Sequence, residues 1–337
     1  MAEGAEVAEE AELTSVRVAE NTDVLDVIFE QCGLTHLRTL KRVCKLWCAL
    51  DREMPARWAT ASIAGHLDLD LDGEIMQTGF AVRLPDGGGL AVTDIDNDRI
   101  LVFSPSDLDA QTGGGTGACA PRIIGCRGTA PGDFDRPEGL ATEGTHLFVA
   151  DCGNHRVQQL RISDGRSVDS IGEHGSGHGQ LLYPEGLALV RGSEHGGSSG
   201  ALPSDSELVV GSSDRLYVVD RCNHRICVFG VSPLRYLTSF GKQGSASLEF
   251  IRPKGIAVHA GYMYVADCDN QRVQVLTLGG EFMRSFSFDF LPASIAVHPD
   301  GKLLTKNENR SRVELRTLHG SLLQVRLADS TVGTAYS

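Results

Sequence analysis

The stretch VADCDNQRVQVL, residues 265–276, contains the pattern that predicts the fold of this chain. An aspartate follows a short apolar segment, an asparagine comes three residues later, and an arginine two residues after that opens an alternating segment. Asp and Asn side chains hydrogen-bond to loop backbone, and Arg pairs with a carboxylate across a turn. The stretch therefore predicts two strands joined by a hairpin turn that its own polar side chains fix. The alternation in RVQVL predicts one buried face for the second strand.

The same phrase recurs along the chain, which predicts a repeat architecture. The other three full copies are VTDIDNDRILVF (92–103), VADCGNHRVQQL (149–160) and VVDRCNHRICVF (218–229). A degenerate copy, 303–316, has Asn307 in place of the aspartate and Arg310 in place of the asparagine, and it keeps Arg312. The predicted structural turn residues are Asp94, Asn97, Arg99, Asp151, Asn154, Arg156, Asp220, Asn223, Arg225, Asp267, Asn270, Arg272 and Arg312. Contact with a ligand is the alternative role for these residues.

A second phrase precedes every turn except the first. Its copies are RPEGLA (136–141), YPEGLA (183–188), RPKGIA (252–257) and LPASIA (291–296). The segments GIAV, YMYVAD, RVQVLTL and FMRSFSF within 255–288 predict four antiparallel strands per unit. One such sheet cannot bury its faces alone, whereas stacked copies can, so the repeat predicts a radial β-propeller. Gly-rich insertions at 104–122 and 191–207 are candidate loops for touching a partner.

These two phrases, P-x-G-[IL]-A and then V-[AV]-D-x-x-N-x-R-[VI], resemble NHL repeats. The resemblance covers roughly residues 76–325. It implies an NHL-type β-propeller that serves as an interaction platform. Five blades are recognisable, and a sixth that uses the segment 321–327 is left open. The first copy departs from the pattern, since TGFAVRLPDGGGLAVTD (78–94) stands where the Pro-x-Gly phrase is expected.

A different pattern occupies residues 21–60, where apolar residues have helical spacing. Asn21 or Thr22 can cap a first helix and Thr35 a second, and Trp58 follows the second. The strings L-x-x-I-F and L-x-x-L-x-x-V-C-K-x-W resemble the F-box, although Asn21-Thr22-Asp23 replaces its initial Leu-Pro. The resemblance implies these adaptor-binding residues: Leu25, Ile28, Phe29, Leu37, Leu40, Val43, Cys44, Lys45 and Trp47.

Together the two resemblances imply a substrate-receptor subunit of a Skp-type, cullin and F-box ubiquitin ligase, with no catalysis and no cofactor of its own. Its partners would be a Skp-type adaptor with its cullin, and a protein substrate held on one propeller face. One alternative is a stand-alone interaction propeller whose helices only cap it. A propeller lyase or hydrolase is a second alternative.

The lyase alternative can be examined at defined positions. The amidating lyase of NHL-like fold holds zinc through histidines just after the lead-in proline, and the corresponding residues here are Glu138, Glu185, Lys254 and Ala293. His259 and His298 do share a repeat position, and they would suit a metal only if both faced a central channel. His155 and His224 also share a position, as turn residues or as part of a partner surface. Cys152 and Cys268 follow the turn aspartates, and Cys222 lies one place later in its copy.

Charge and composition narrow the function classes. The chain has 44 Asp and Glu against 31 Lys and Arg, a net charge of −13, which disfavours nucleic acid and anionic membranes as partners. No apolar run reaches the roughly 18 residues of a membrane span, and the N-terminus does not resemble a secretory signal. We therefore expect a cytoplasmic or nuclear protein that is not secreted. The nine cysteines lack zinc-site spacing, so reduced thiols are expected.

The domain plan that follows has one helical module and one mainly β domain. Its parts are an acidic disordered leader (1–20), the F-box-like α-helical module (21–65), a linker (66–75), the NHL-repeat β-propeller (76–327) and a C-terminal tail (328–337).

Overall fold

A computed structural model describes residues 63–64, 68–71, 74–85, 89–105, 121–192, 214–298, 301–309 and 312–327. The nine predicted adaptor-binding residues, between Leu25 and Trp47, lie outside these ranges. So do the predicted leader and tail, most of both insertions, and Arg310.

Antiparallel strands form five sheets within the described residues. The first sheet contains β1 (Ile63–Ala64), β2 (Asp68–Leu71), β3 (Glu74–Arg83), β4 (Leu90–Asp94), β5 (Arg99–Phe103) and β6 (Arg122–Ile124). The second contains β7 (Pro137–Glu143), β8 (His146–Asp151), β9 (Arg156–Arg161) and β10 (Ser167–Ile171). The third contains β11 (Pro184–Val190), β12 (Arg215–Asp220), β13 (Arg225–Val231) and β14 (Leu234–Phe240).

The remaining strands follow the same order. Between the third and fourth sheets, β15 (Lys242–Gln243) pairs in parallel with β16 (Glu249–Phe250). The fourth sheet contains β17 (Pro253–His259), β18 (Tyr262–Asp267), β19 (Arg272–Thr277) and β20 (Phe282–Ser287). The fifth contains β21 (Pro292–His298), β22 (Lys302–Asn307), β23 (Arg312–Thr317) and β24 (Leu322–Leu327).

The five sheets are the blades of a β-propeller. The first long strand of each blade lies against that of the next, in the order β3, β7, β11, β17 and β21. Strand β1 pairs with β3 and also contacts β21, so it joins the fifth blade to the first. The mainly β propeller predicted from the repeats is confirmed, with five blades. The segment 321–327, for which a sixth blade had been left open, contains β24, the outer strand of the fifth blade.

The chain around residues 66–75 differs from the linker that the sequence analysis expected. Strand β2 pairs with the first half of β3, with Leu71 opposite Glu74. The alternation of Leu and Asp in LDLDL has the period of two that a strand requires, which accounts for this pairing. Strand β1 likewise falls within the range expected for the helical module.

The second, third and fourth blades each pack on both neighbours, so their inner strands are buried on both faces. Leu147 and Val149 of β8 belong to the apolar cluster shared with the first blade, whereas Phe148 and Ala150 belong to the cluster shared with the third. The prediction of one buried face for RVQVL was therefore wrong, since all five residues from Val273 to Thr277 are buried. Outer strands such as β20 do alternate between half-buried and exposed residues.

The glycine of the lead-in phrase is required by the close approach of neighbouring blades. A Cβ atom added at Gly139 would lie 2.2 Å from the Glu185 carbonyl oxygen, and one at Gly186 would lie 2.4 Å from that of Lys254. The corresponding distance at Gly255 is 2.7 Å to the Ala293 oxygen. Real Cβ atoms do not approach backbone oxygens so closely, so these glycines set the spacing between first strands.

We predict that Gly186→Ala lowers the free energy of unfolding by about 1–3 kcal/mol, because the added methyl group pushes two blades apart. Gly230→Ala is the matched control, since its Cβ would meet its nearest atom at an ordinary 3.6 Å. Urea unfolding of both variants measures the difference. Equal midpoints for the two variants would contradict this account of blade spacing.

Candidate functional site

The polar turns between the second and third strands of the blades have one repeated geometry. In each of the first four blades the arginine Nε donates to the aspartate Oδ2 at 2.7 Å. The asparagine Nδ2 donates to the same carboxylate. All four aspartates are fully buried, whereas their arginines are 12–24% exposed. We call this arrangement the turn lock.

In the second, third and fourth blades, the turn lock also holds the loop that enters the blade. The second Asp oxygen accepts the backbone N–H of Asp135, Leu182 or Ile251 at 2.7–2.8 Å. The asparagine and arginine donate to loop carbonyl oxygens, and Arg156 reaches those of Ala130 and Asp133. The conformation of this face of the propeller is therefore set by buried charge-assisted hydrogen bonds.

In the first three blades, the residue between Asn and Arg joins the turn to the next blade. Asp98, His155 and His224 all have positive φ angles of 53–57°. Asp98 Oδ1 accepts the N–H of Arg136 at 2.7 Å, and His224 Nδ1 accepts that of Arg252 at 3.0 Å. His155 Nδ1 accepts the N–H of Tyr183, the residue before the third blade's lead-in proline, at 3.2 Å. The shared position of the two histidines is thus explained by an acceptor role, which sequence reasoning did not identify.

The fifth blade replaces the missing aspartate with a glutamate from elsewhere. Glu314, fully buried, forms ion pairs with Arg312 and, at 2.7 Å, with Arg316. Arg312 also pairs with Asp289 at 2.9 Å. Asn307, in the aspartate's place, accepts the backbone N–H of Arg312. Sequence reasoning missed Glu314, although an acidic residue inside an alternating strand, flanked by two arginines, is a readable signal.

A second group of polar residues lies where the lead-in phrases meet. Glu138, Glu185 and Lys254, which follow the lead-in prolines of three consecutive blades, are 7–8% exposed. Lys254 Nζ lies 2.8 Å from Glu308 Oε1 and 3.6 Å from Glu185 Oε1, and Arg221 Nε lies 3.3 Å from Glu185 Oε2. Glu138 interacts electrostatically with Glu185, Arg221 and Lys254, which belong to the next two blades. We call Glu138, Glu185, Arg221, Lys254 and Glu308 the axial cluster. Burial, and then the nearby Glu185 charge, raises the pKa of Glu138 to about 8.

The two histidines that share a repeat position lie at strand ends, and the three cysteines lie in the turns. His259 and His298 end β17 and β21, where each strand turns into its hairpin. Burial lowers the pKa of His259 and raises the pKa of the Cys152, Cys222 and Cys268 thiols. Across the described ranges, no three His, Cys, Asp or Glu side chains come together as a metal site would require.

Three aromatic rings form a surface group on the turn face. His155 contacts His174 and Tyr183 edge-on, with ring centroids 4.7 and 4.6 Å apart. Tyr183 is 40% exposed although its backbone is held by His155. We call His155, His174 and Tyr183 the ring patch. A rigid, exposed group of this kind suits contact with a partner protein.

The comparisons with known proteins agree with the repeat pattern. The sequence model of the NHL repeat matches residues 134–160 and 207–229. The chain is therefore a β-propeller that carries NHL repeats. It is 28% identical over 162 residues to the protein brain tumor of Drosophila melanogaster. That match covers 47% of this chain and 13% of the relative, so the chain spans about an eighth of that protein.

Solved structures resemble the chain only distantly. A streptogramin B lyase aligns with 82% of this chain and 76% of its own, at 11% identity and a TM-score of 0.48. A structure of a nidogen and laminin complex aligns with 80% of this chain and 93% of its own, at 15% identity and a TM-score of 0.45. Of the residues described, none form a helix that is long and apolar enough to cross a membrane.

We predict that Asp151→Asn lowers the free energy of unfolding by about 3–5 kcal/mol, because it breaks a buried ion pair and turns an amide toward the Arg156 donor. Asp164→Asn is the control, since Asp164 pairs with Arg161 on the surface of the same blade. The control should leave unfolding nearly unchanged. Chemical denaturation followed by circular dichroism measures both, and a stable Asp151→Asn protein would contradict the importance of the turn lock.

Acid should weaken the links between blades. Burial lowers the pKa of His155 and His224, and each uses Nδ1 as an acceptor, which a proton would block. As the pH falls, the histidines of the unfolded chain bind protons before those of the folded chain, because their pKa is higher. The free energy of unfolding that these two hydrogen bonds contribute is therefore present above about pH 6.5 and is lost as the pH falls toward the lower pKa values of the folded state. The double variant His155→Asn/His224→Asn should lose less stability than wild type between pH 7 and 5.5. Thermal melts measure this difference, and an equal fall in melting temperature with pH for the variant and wild type would refute the prediction.

Proposed function

We propose that this chain is the substrate-receptor subunit of a Skp-type, cullin and F-box ubiquitin ligase, and that its propeller binds the protein substrate. The observation that carries the substrate-binding part is the ring patch on the turn face. The turn locks below it are already paired, so a partner meets a preorganised surface and little conformational entropy is lost on binding. Tyr and His rings offer both apolar contact and hydrogen bonds to such a partner.

The ligase part is supported by the F-box-like strings between Leu25 and Trp47. Their apolar residues would bury against a Skp-type adaptor. The chain would then contribute no covalent chemistry, because holding a substrate near the conjugating enzyme raises the effective concentration of its lysines. A stand-alone interaction propeller would have the same ring patch without the adaptor.

A co-purification experiment separates the two parts. We expect Leu40→Asp/Trp47→Ala to lose at least tenfold of the recovered Skp-type adaptor while retaining proteins bound to the propeller, because a charge and a cavity replace two apolar contacts. We expect His174→Ala/Tyr183→Ala to retain the adaptor and lose propeller-bound proteins. Quantitative mass spectrometry of both variants beside wild type provides the measurement.

Each variant is the other's control. Equal recovery of adaptor by wild type and Leu40→Asp/Trp47→Ala would refute the ligase assignment and leave a stand-alone interaction propeller. An unchanged set of propeller-bound proteins in His174→Ala/Tyr183→Ala would remove the ring patch as the substrate contact.

A further inference from the structure

One carboxyl group of the turn face, that of the half-buried Asp135, makes no bond within the described fold. The fold uses only the backbone of this residue: its N–H donates to Asp151 Oδ1 and its carbonyl oxygen accepts the N–H of Gly153, both at 2.8 Å. Its carboxylate accepts no hydrogen bond and forms no ion pair with any residue that the structure describes. The backbone N–H groups of Leu182 and Ile251 reach the turn aspartates of the next two blades in the same way. An apolar side chain therefore serves the fold equally well at this position.

The Asp135 carboxylate lies over the turn that carries His155. A Cβ atom added at Gly153 would lie 2.5 Å from Asp135 Cγ, so the glycine leaves room for the carboxylate. Asp135 also interacts electrostatically with His155, whose ring contacts both other rings of the ring patch. Asp151 and Asp220, the other carboxylates that act on His155, are already paired with their turn arginines. Asp135 is therefore an unpaired negative charge beside the three rings.

The cationic groups closest along the chain do not neutralise this charge. His155 Nδ1 accepts the N–H of Tyr183, so that nitrogen carries no proton and the imidazole is neutral. Arg136 forms its ion pair with Glu138, at 3.9 Å, and none with Asp135. The surface thus combines an exposed aromatic ring with a carboxylate that lacks a donor.

We propose that Asp135 and the ring patch together bind an arginine side chain of the partner protein. A guanidinium group is planar, so it can stack on the exposed ring of Tyr183 while its N–H groups donate to the Asp135 carboxylate. The net charge of −13 favours the approach of a basic partner. This inference rests on the proposed function, since it takes the ring patch as the partner contact and names the residue that the partner supplies there.

Nuclear magnetic resonance of the full chain, labelled with ¹³C in its tyrosine rings, tests the proposal. The probe is arginine with both ends capped as amides, and capped citrulline, which has a similar shape without the charge, is the control. The Tyr183 resonance is identified by its loss in Tyr183→Phe. We expect this resonance to shift in a saturable way with the arginine probe, and the citrulline probe to bind about fivefold more weakly.

Asp135→Asn should lower the affinity for the arginine probe about fivefold, because it removes the charge that the guanidinium group faces. The variant should unfold at the wild-type temperature, since the Asp135 carboxylate makes no bond within the described fold. Asp169→Asn is the matched control, because it removes the same charge from an exposed position on β10 of the same blade, and it should bind the probe as wild type does.

Equal affinities for the arginine and citrulline probes, or equal affinities of wild type and Asp135→Asn for arginine, would overturn the proposal. The proteins that Asp135→Asn fails to recover should be among those that His174→Ala/Tyr183→Ala loses. A ring patch that is not the substrate contact would leave those proteins unchanged in His174→Ala/Tyr183→Ala. A wrong assignment of Asp135 would leave the probe affinity unchanged in Asp135→Asn, so the two failures can be told apart.

Discussion

The buried pair between a turn aspartate and an arginine five residues later is the interaction on which the rest of the structure depends. A fully buried carboxylate is tolerated only when donors surround it, and here it receives an arginine, an asparagine and, in three blades, a backbone N–H of the entering loop. One charge therefore organises a hairpin, a loop and the start of a blade. The fifth blade lacks the aspartate, and Glu314 of its third strand supplies the carboxylate instead, pairing with both Arg312 and Arg316.

The spacing between blades depends on a second, steric constraint. Glycines of the lead-in phrase let first strands approach until a methyl group would touch the neighbouring carbonyl oxygen. Apolar residues from facing blades then fill the volume farther from the axis, in four clusters that each join two consecutive blades. Near the axis the same approach brings charged side chains from three blades together, which accounts for the buried Glu138, Glu185 and Lys254.

The turn face combines these two constraints. Turn locks hold its loops, and the acceptors Asp98, His155 and His224 tie the first three turns to the blades that follow. Side chains that do not serve the fold, such as exposed Tyr183, are then presented in fixed positions. Some side chains of this face are bonded within the fold and others are exposed, and this combination makes the face suitable for recognising a partner. The axial cluster lies at the lead-in ends of the same blades, and its charged groups are paired with one another.

The sequence by itself determined the repeat, the four strands of each unit and the residues of the turn lock, because these depend on contacts between residues close along the chain. The pairing Asp267–Arg272 is an example, since five residues separate the partners. The tertiary structure alone decided that the described blades number five, that Glu314 replaces an aspartate and that Lys254 meets Glu185 and Glu308. Each of those depends on which distant segments become neighbours, and on how burial changes the free energy of a charge once they do.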